Sequence, residues 1–228
     1  MHITRKEYVE NKIVKHHEHK CLHDGGVNCI CNDLVINVTT QKYLGLTFDY
    51  KLNWDKHFSE LNKKLRKLTF LFKITQNILS LKVKKTLYYS LVQSIITYGI
   101  RAYGAENETR WENLEKLQKT ILKTMMTNKQ IKKQDNIYKT TNLLPFRKLY
   151  FYNMAVNYIH DKTYTRIANT NYSLRSQRKH LTPTTFNRYG ERTKLSQIPK
   201  ILNEIPAAIK SIIKIGDFKK ALIDFLLS

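Results

Sequence analysis

The sequence predicts a mainly α-helical fold that opens with a small antiparallel β-sheet and continues as a helical bundle and carboxy-terminal helices. Three observations carry this. Seven glycines and four prolines in 228 residues leave few breakers, so helices should dominate. From Trp54 onward apolar residues recur every three or four positions, the helical period. Short runs rich in Val and Ile, parted by polar turns, are confined to residues 1–50 and read as strands.

The strand candidates are Ile13-Val14, Val27 to Cys31, Leu34 to Val38 and Tyr43 to Phe48, with Asn32-Asp33 as a hairpin turn. The first helix follows Trp54, with Phe58, Leu61, Leu65, Leu68 and Phe72 on one apolar stripe. Ser80 is a good cap for a second helix, whose buried face would be Leu87, Tyr88, Leu91, Val92, Ile95 and Ile96. Gly99 and Gly104 bracket its end. Thr109 and Glu112 have capping-box spacing, so a third helix is expected over about 110–126 with Trp111, Leu114, Leu117, Ile121, Leu122 and Met125 inward. A basic polar stretch, 128–134, precedes a short helix at about 136–142. Pro145 suits the first turn of a longer one, with Leu149, Tyr152, Val156 and Ile159 as its apolar face. Residues 162–197 read as a long basic loop, since nine Lys and Arg between Lys162 and Lys200 face the single acid Glu191. Helices return at 199–204 and 217–227, the last with Phe218, Leu222, Phe225 and Leu226 inward. Three segments follow: 1–53, 54–127 and 128–228.

Forty Lys and Arg against eighteen Asp and Glu give a formal charge of +22. Such a chain repels itself, and a polyanion relieves that repulsion; nucleic acid is the usual one, because each cation set on a phosphate releases condensed counterions. Lysines and arginines recur along the expected helices at Lys63, Lys64, Arg66, Lys67, Lys73, Lys82, Lys84 and Lys85, and these are the candidate phosphate contacts. Tyrosines Tyr88, Tyr89, Tyr98, Tyr103, Tyr150 and Tyr152 are interleaved with the charge. Some would stack on unpaired bases, although packing between helices suits most of them better.

Other chemistry is sparse. There is no Asp-Asp pair of the kind that holds two divalent ions, no Gly-Lys-Ser/Thr phosphate loop and no Gly-x-Ser-x-Gly elbow, so no catalytic residue is assigned. His16, His17, His19, Cys21, His23, Cys29 and Cys31 cluster, yet Cys29-x-Cys31 is tighter than zinc knuckles use. A polar turn with small strand cysteines accounts for them better than zinc, and no metal ligand is assigned. An odd, small cysteine count fits a reducing compartment, and no apolar run approaches a membrane span. An intracellular location, nucleus and/or cytoplasm, with no membrane partner, is expected.

Lys42-Tyr43-Leu44-Gly45-Leu46-Thr47-Phe48-Asp49, followed by Leu52-Asn53-Trp54 and His57, resembles the stretch after the polymerase palm in LINE-like, jockey-type reverse transcriptases of non-LTR retrotransposons. The resemblance continues through Leu87 to Ser94, Tyr98-Gly99-Ile100, Leu114-x-x-Leu117-Gln118-Lys119 and Asn142-Leu143-Leu144-Pro145. It ends in Tyr189-Gly190, Pro199, Asn203, Ile205-Pro206 and Phe218-Lys219-Lys220-x-Leu222, so it covers 42–228 in order. Arg5-Lys6-Glu7-Tyr8 would correspond to the Lys-Thr-Glu-Tyr stretch beyond the catalytic aspartates, with the threonine replaced.

The resemblance implies that 1–53 ends a palm, with a primer-grip-like hairpin carrying Lys42, Tyr43 and Gly45. It implies that 54–127 is a thumb holding an RNA/DNA template–primer by its backbone, reading A-form shape more than sequence. Fingers, most of the palm and the endonuclease would be missing. No cofactor is expected of this chain, since the Mg ligands of the parent polymerase are not in it. The missing fingers–palm part is a second candidate partner. The expected function is therefore that of a reverse-transcriptase fragment that binds nucleic acid without catalysis. The alternatives are a domesticated nucleic-acid-binding or interaction protein and a subunit of a split reverse transcriptase.

Overall fold

A computed structural model describes residues 39–126, 136–159, 180 and 182–228. The first three strand candidates, the Asn32-Asp33 turn, the Cys/His cluster, Arg5 to Tyr8 and the 128–134 stretch lie outside the described residues. The chain divides into two compact units, Met1–Asn53 and Trp54–Ser228.

In the first unit, β1 (Thr40–Tyr43) pairs antiparallel with β2 (Leu46–Asp49), in the register Thr40↔Asp49 to Tyr43↔Leu46. The run Tyr43 to Phe48, read from its composition as one strand, is thus two strands and a turn. Leu44 and Gly45 both hold positive φ, 46° and 78°, the geometry whose twist matches paired strands. Gly45 takes that conformation without steric cost, and strand propensity carries no sign of it. Beyond β2 the Asp49 carboxylate accepts the amides of Lys51 (3.1 Å) and Asn53 (2.9 Å), which turns the chain out of the sheet.

The second unit is helical. α1 (Asp55–Ile74) buries Phe58, Leu61, Leu65 and Phe72 and half-buries Leu68, as its stripe predicts; Asp55 in the first turn and Lys73 in the last complement its dipole. Ser80 caps α2 (Leu81–Leu87) by accepting the Val83 amide. The helix then widens into a π turn (Tyr88–Gln93) and resumes as α3 (Ser94–Thr97). Gly99, at φ 68°, bends the chain into α4 (Ile100–Tyr103).

α5 (Glu108–Met125) starts two residues before the expected helix, with Asn107 rather than Thr109 at the cap. The neighbouring Glu106, anchored in the interior, sets the entry point in place of a capping box. α6 (Ile137–Thr141) is capped by Asn136, whose side chain accepts the amides of Tyr138 and Lys139, and closes on Asn142 at φ 53°.

α7 (Phe146–Tyr158) follows Pro145 and buries Phe146, Leu149, Tyr150, Met154 and Ala155. Its expected stripe is only partly right: Tyr152, Val156 and Ile159 are half-buried. α7 packs against α3, α4, α5 and two carboxy-terminal helices, so more than one of its faces is covered. The expected basic loop is shorter than read, because α8 (Arg188–Glu191) and α9 (Lys194–Glu204) reach into it. α9 tolerates Pro199 in its interior, since Ile198, Ile201 and Leu202 bury its face. α10 (Ala207–Lys210) and α11 (Ile215–Leu227) complete the chain, with Phe218, Leu222, Leu226 and Leu227 buried and Phe225 half-buried.

Polar groups tie the core together. The Gln118 amide, fully buried, donates to the Tyr88 hydroxyl (2.7 Å) and the Leu144 carbonyl (2.8 Å) and accepts the Phe146 amide (3.1 Å), joining the π turn, α5 and the start of α7. A Cβ on Gly104 would sit inside the Tyr150 ring and against the Ile100 carbonyl, so only glycine lets α4 meet α7. Around it Phe58, Tyr103 and Trp111 form an aromatic cluster, with ring centroids 5.3–5.9 Å apart.

Candidate nucleic-acid interface

Helices α1 and α5 lie side by side and run parallel. At their amino-terminal ends the Arg110 guanidinium grips the Asp55 carboxylate at 2.6 and 2.8 Å. At their carboxy-terminal ends the Lys84 ammonium bonds the Gln76 carbonyl (2.5 Å) and the Met125 carbonyl (3.4 Å). Those carbonyls have no partner along their own helices, and a cation there also meets the negative ends of both dipoles.

Between the two helices opens a cleft of about 540 Å³, lined by Asp55, Phe58, Ser59, Asn62, Lys63 and Arg66 from α1 and Arg110, Asn113, Lys116 and Leu117 from α5. Four cations and three neutral hydrogen-bonding side chains face one carboxylate. Arg110 is already committed to Asp55 and Glu106. Lys63, Arg66 and Lys116 have no ion pair among the described residues, so their charge is available to a ligand. The cleft thus gathers positive charge and neutral hydrogen-bonding groups along two helices.

The structure sorts the residues that the sequence proposed. Lys63, Lys64, Arg66, Lys67 and Lys73 are all exposed on α1. Neither Lys64 nor Lys67 lines the cleft; at 3.6 residues per turn Lys64 falls on the flank turned away from it, and Lys67, one turn beyond Lys63, on the outer face between. Lys82 is exposed and Lys85 half-buried on α2. Lys84 is a correction: it is 5% exposed and spends its ammonium on two helix ends, so it is no surface contact. Lys42 and Tyr43 are exposed and Gly45 forms the turn of the separate hairpin unit. Sequence reasoning missed Ser59, Asn62, Arg110, Asn113 and Lys116. They are single polar residues beside the apolar stripes, without the doubled lysines that drew attention elsewhere.

A second charged feature was also missed. Glu106, its side chain wholly buried, pairs with Arg110, with Arg188 at 2.9 Å and with Arg192. Desolvation by burial pulls the Arg192 guanidinium below its ordinary range, an effect the Glu106 carboxylate opposes. This cluster anchors α8 and the turn after it to the chain just ahead of α5, more than eighty residues earlier. Among the described residues no group of His, Cys, Asp and Glu is arranged to hold a metal ion, and no helix is long and apolar enough to cross a membrane. Comparison with protein-family models, curated proteins and solved structures finds no match to this chain.

Proposed function

We propose that the chain is the nucleic-acid-gripping, thumb-like part of a non-LTR retrotransposon reverse transcriptase. In this reading it holds a template–primer duplex by its backbone and performs no nucleotidyl transfer by itself. The ordered resemblance over residues 42–228 suggests the parent, and the +22 charge suits a polyanionic partner. The observation that carries the reading is the α1–α5 cleft, in which Lys63, Arg66 and Lys116 present uncommitted charge beside Ser59, Asn62 and Asn113. Contacts of this kind position a duplex without reading its bases.

Fluorescence anisotropy with a labelled RNA–DNA hybrid, titrated at several salt concentrations, tests the proposal. Lys63→Glu with Arg66→Glu should weaken binding and lower the slope of log K against log salt by about one for each phosphate no longer neutralised. Lys64→Glu with Lys67→Glu, neither of which lines the cleft, should do less. Equal losses from both pairs would reduce the effect to net charge and rule out the cleft as the binding site. Primer extension on an RNA template by the purified chain would overturn the non-catalytic part.

A further inference from the structure

The nucleic-acid reading leaves one face of the helical unit unused. Lys84, Tyr88, Val92 and Ile96 point inward at a spacing of four, each 5% exposed or less. The intervening row, Lys82, Thr86, Ser90, Ser94 and Tyr98, is exposed along its whole length, and Tyr89 stands beside it. In a plain α-helix a four-residue step drifts by about 40°, which over the row would carry Tyr98 to the far side from Lys82. The π turn at Tyr88–Gln93 takes more residues per turn and recovers most of that drift. The outcome is one continuous outward strip, with lysine at one end, hydroxyls along the middle and tyrosines beside and beyond them.

The structure also divides the six tyrosines that the sequence offered as stacking groups. Tyr88, Tyr103 and Tyr150 are buried in the core and Tyr152 is half-buried. Tyr89 and Tyr98 remain, 48% and 57% exposed, and both border this strip. No Asp or Glu occurs anywhere from Leu61 to Ala105, so every acidic or basic side chain of that segment is basic. Exposed rings with cations nearby, in a segment without carboxylates, suit a flexible polyanion that carries flat apolar groups. A duplex keeps its bases stacked inside; an unpaired strand does not.

We infer that the outward strip of α2, the π turn and α3 binds single-stranded nucleic acid, with Tyr89 and Tyr98 stacking on bases and Lys82 and Lys85 on the backbone. This rests on the nucleic-acid reading but uses a surface other than the α1–α5 cleft. Tyr89 and Tyr98 lie roughly 13 Å apart along the chain axis at the α-helical rise, room for a few nucleotides between them.

The test uses the full chain, a labelled oligo-uridine of roughly a dozen nucleotides, a blunt RNA–DNA hybrid of equal length and an oligo-glutamate of matched charge. Tyr89→Ala with Tyr98→Ala should weaken oligo-uridine binding about tenfold or more while hybrid binding holds. Tyr89→Phe with Tyr98→Phe should restore it, since a ring stacks without its hydroxyl. Should Tyr89→Ala unsettle the neighbouring Tyr88, Tyr98→Ala alone decides, expected to lose several-fold. Unchanged oligo-uridine binding in the alanine variants overturns the inference, as does failure of phenylalanine to rescue. Oligo-glutamate binding as tight as oligo-uridine would mark a site for acidic polypeptide and overturn it equally. Loss of hybrid binding confined to Lys63→Glu with Arg66→Glu would still support the cleft, so the two readings fail separately.

Discussion

Glu106 is a single buried carboxylate answering three arginines, one of which it shares with Asp55. Arg192 is mostly covered, so its charge has little water to fall back on. Replacing the carboxylate by its neutral isostere removes the one charge that Arg110, Arg188 and Arg192 share. Glu106→Gln should therefore cost about 3 kcal/mol, read as a lowered urea midpoint. A midpoint within experimental scatter of the parent would mean that the arginines find water instead, and that the cluster anchors nothing. His57 sits in the same neighbourhood, 3% exposed, with its ring 4.7 Å from Tyr103. Desolvation by burial lowers its pKa below 6.5, Glu60 opposes this and Lys64 adds to it. The folded chain thus favours neutral imidazole. Its contribution is complete above the unfolded pKa and fades as the pH falls through the lower, folded value. Denaturation midpoints should drop as the pH falls below about 6.5, and His57→Phe should flatten that part of the profile. An unaltered profile in the variant would assign the acid sensitivity elsewhere.

At the scale of elements, the cleft depends on α1 and α5 staying parallel and level. Arg110 and Asp55 hold one end, and Lys84 holds the other by serving two helix ends at once. Lys84→Met keeps the length and packing of the stem but abandons both carbonyls. A loss of about 1–3 kcal/mol is expected, with an unchanged denaturant slope. A more stable variant would show that desolvating the ammonium outweighs what the carbonyls return. The π turn is the other decisive element. It places Tyr88 over Gln118 on the inside and turns the outer row into one strip.

For the whole molecule, charge matters most. A formal +22 on 228 residues acts against the compact state, and most of the Lys and Arg side chains among the described residues are exposed, where salt screens them readily. The Tm should rise as sodium chloride is added from low ionic strength, and rise further with an RNA–DNA hybrid that binds only the folded form. A Tm that falls with salt would mean that attractive pairs, such as those around Glu106, outweigh the general repulsion. The two units each carry part of this charge: the hairpin bears Lys42, and the helical unit bears the cleft.

Local pattern was enough to read much of this protein. The stripe Phe58, Leu61, Leu65, Phe72 is the buried side of α1, Ser80 caps α2, and Trp111 through Met125 line the inner face of α5. Each follows from the helical period or from one side chain meeting one amide, physics complete within a few residues of chain. The basic character of α1 was legible for the same reason. Tertiary structure alone decided which cations face a cleft, because the helical period sets Lys63 and Lys64 on different flanks without saying beside which flank α5 lies. It alone buried Lys84, joined Glu106 to Arg188 and Arg192, and split the tyrosines into core and surface. These outcomes depend on residues far apart along the chain, where charge and burial are set by neighbours that periodicity cannot name.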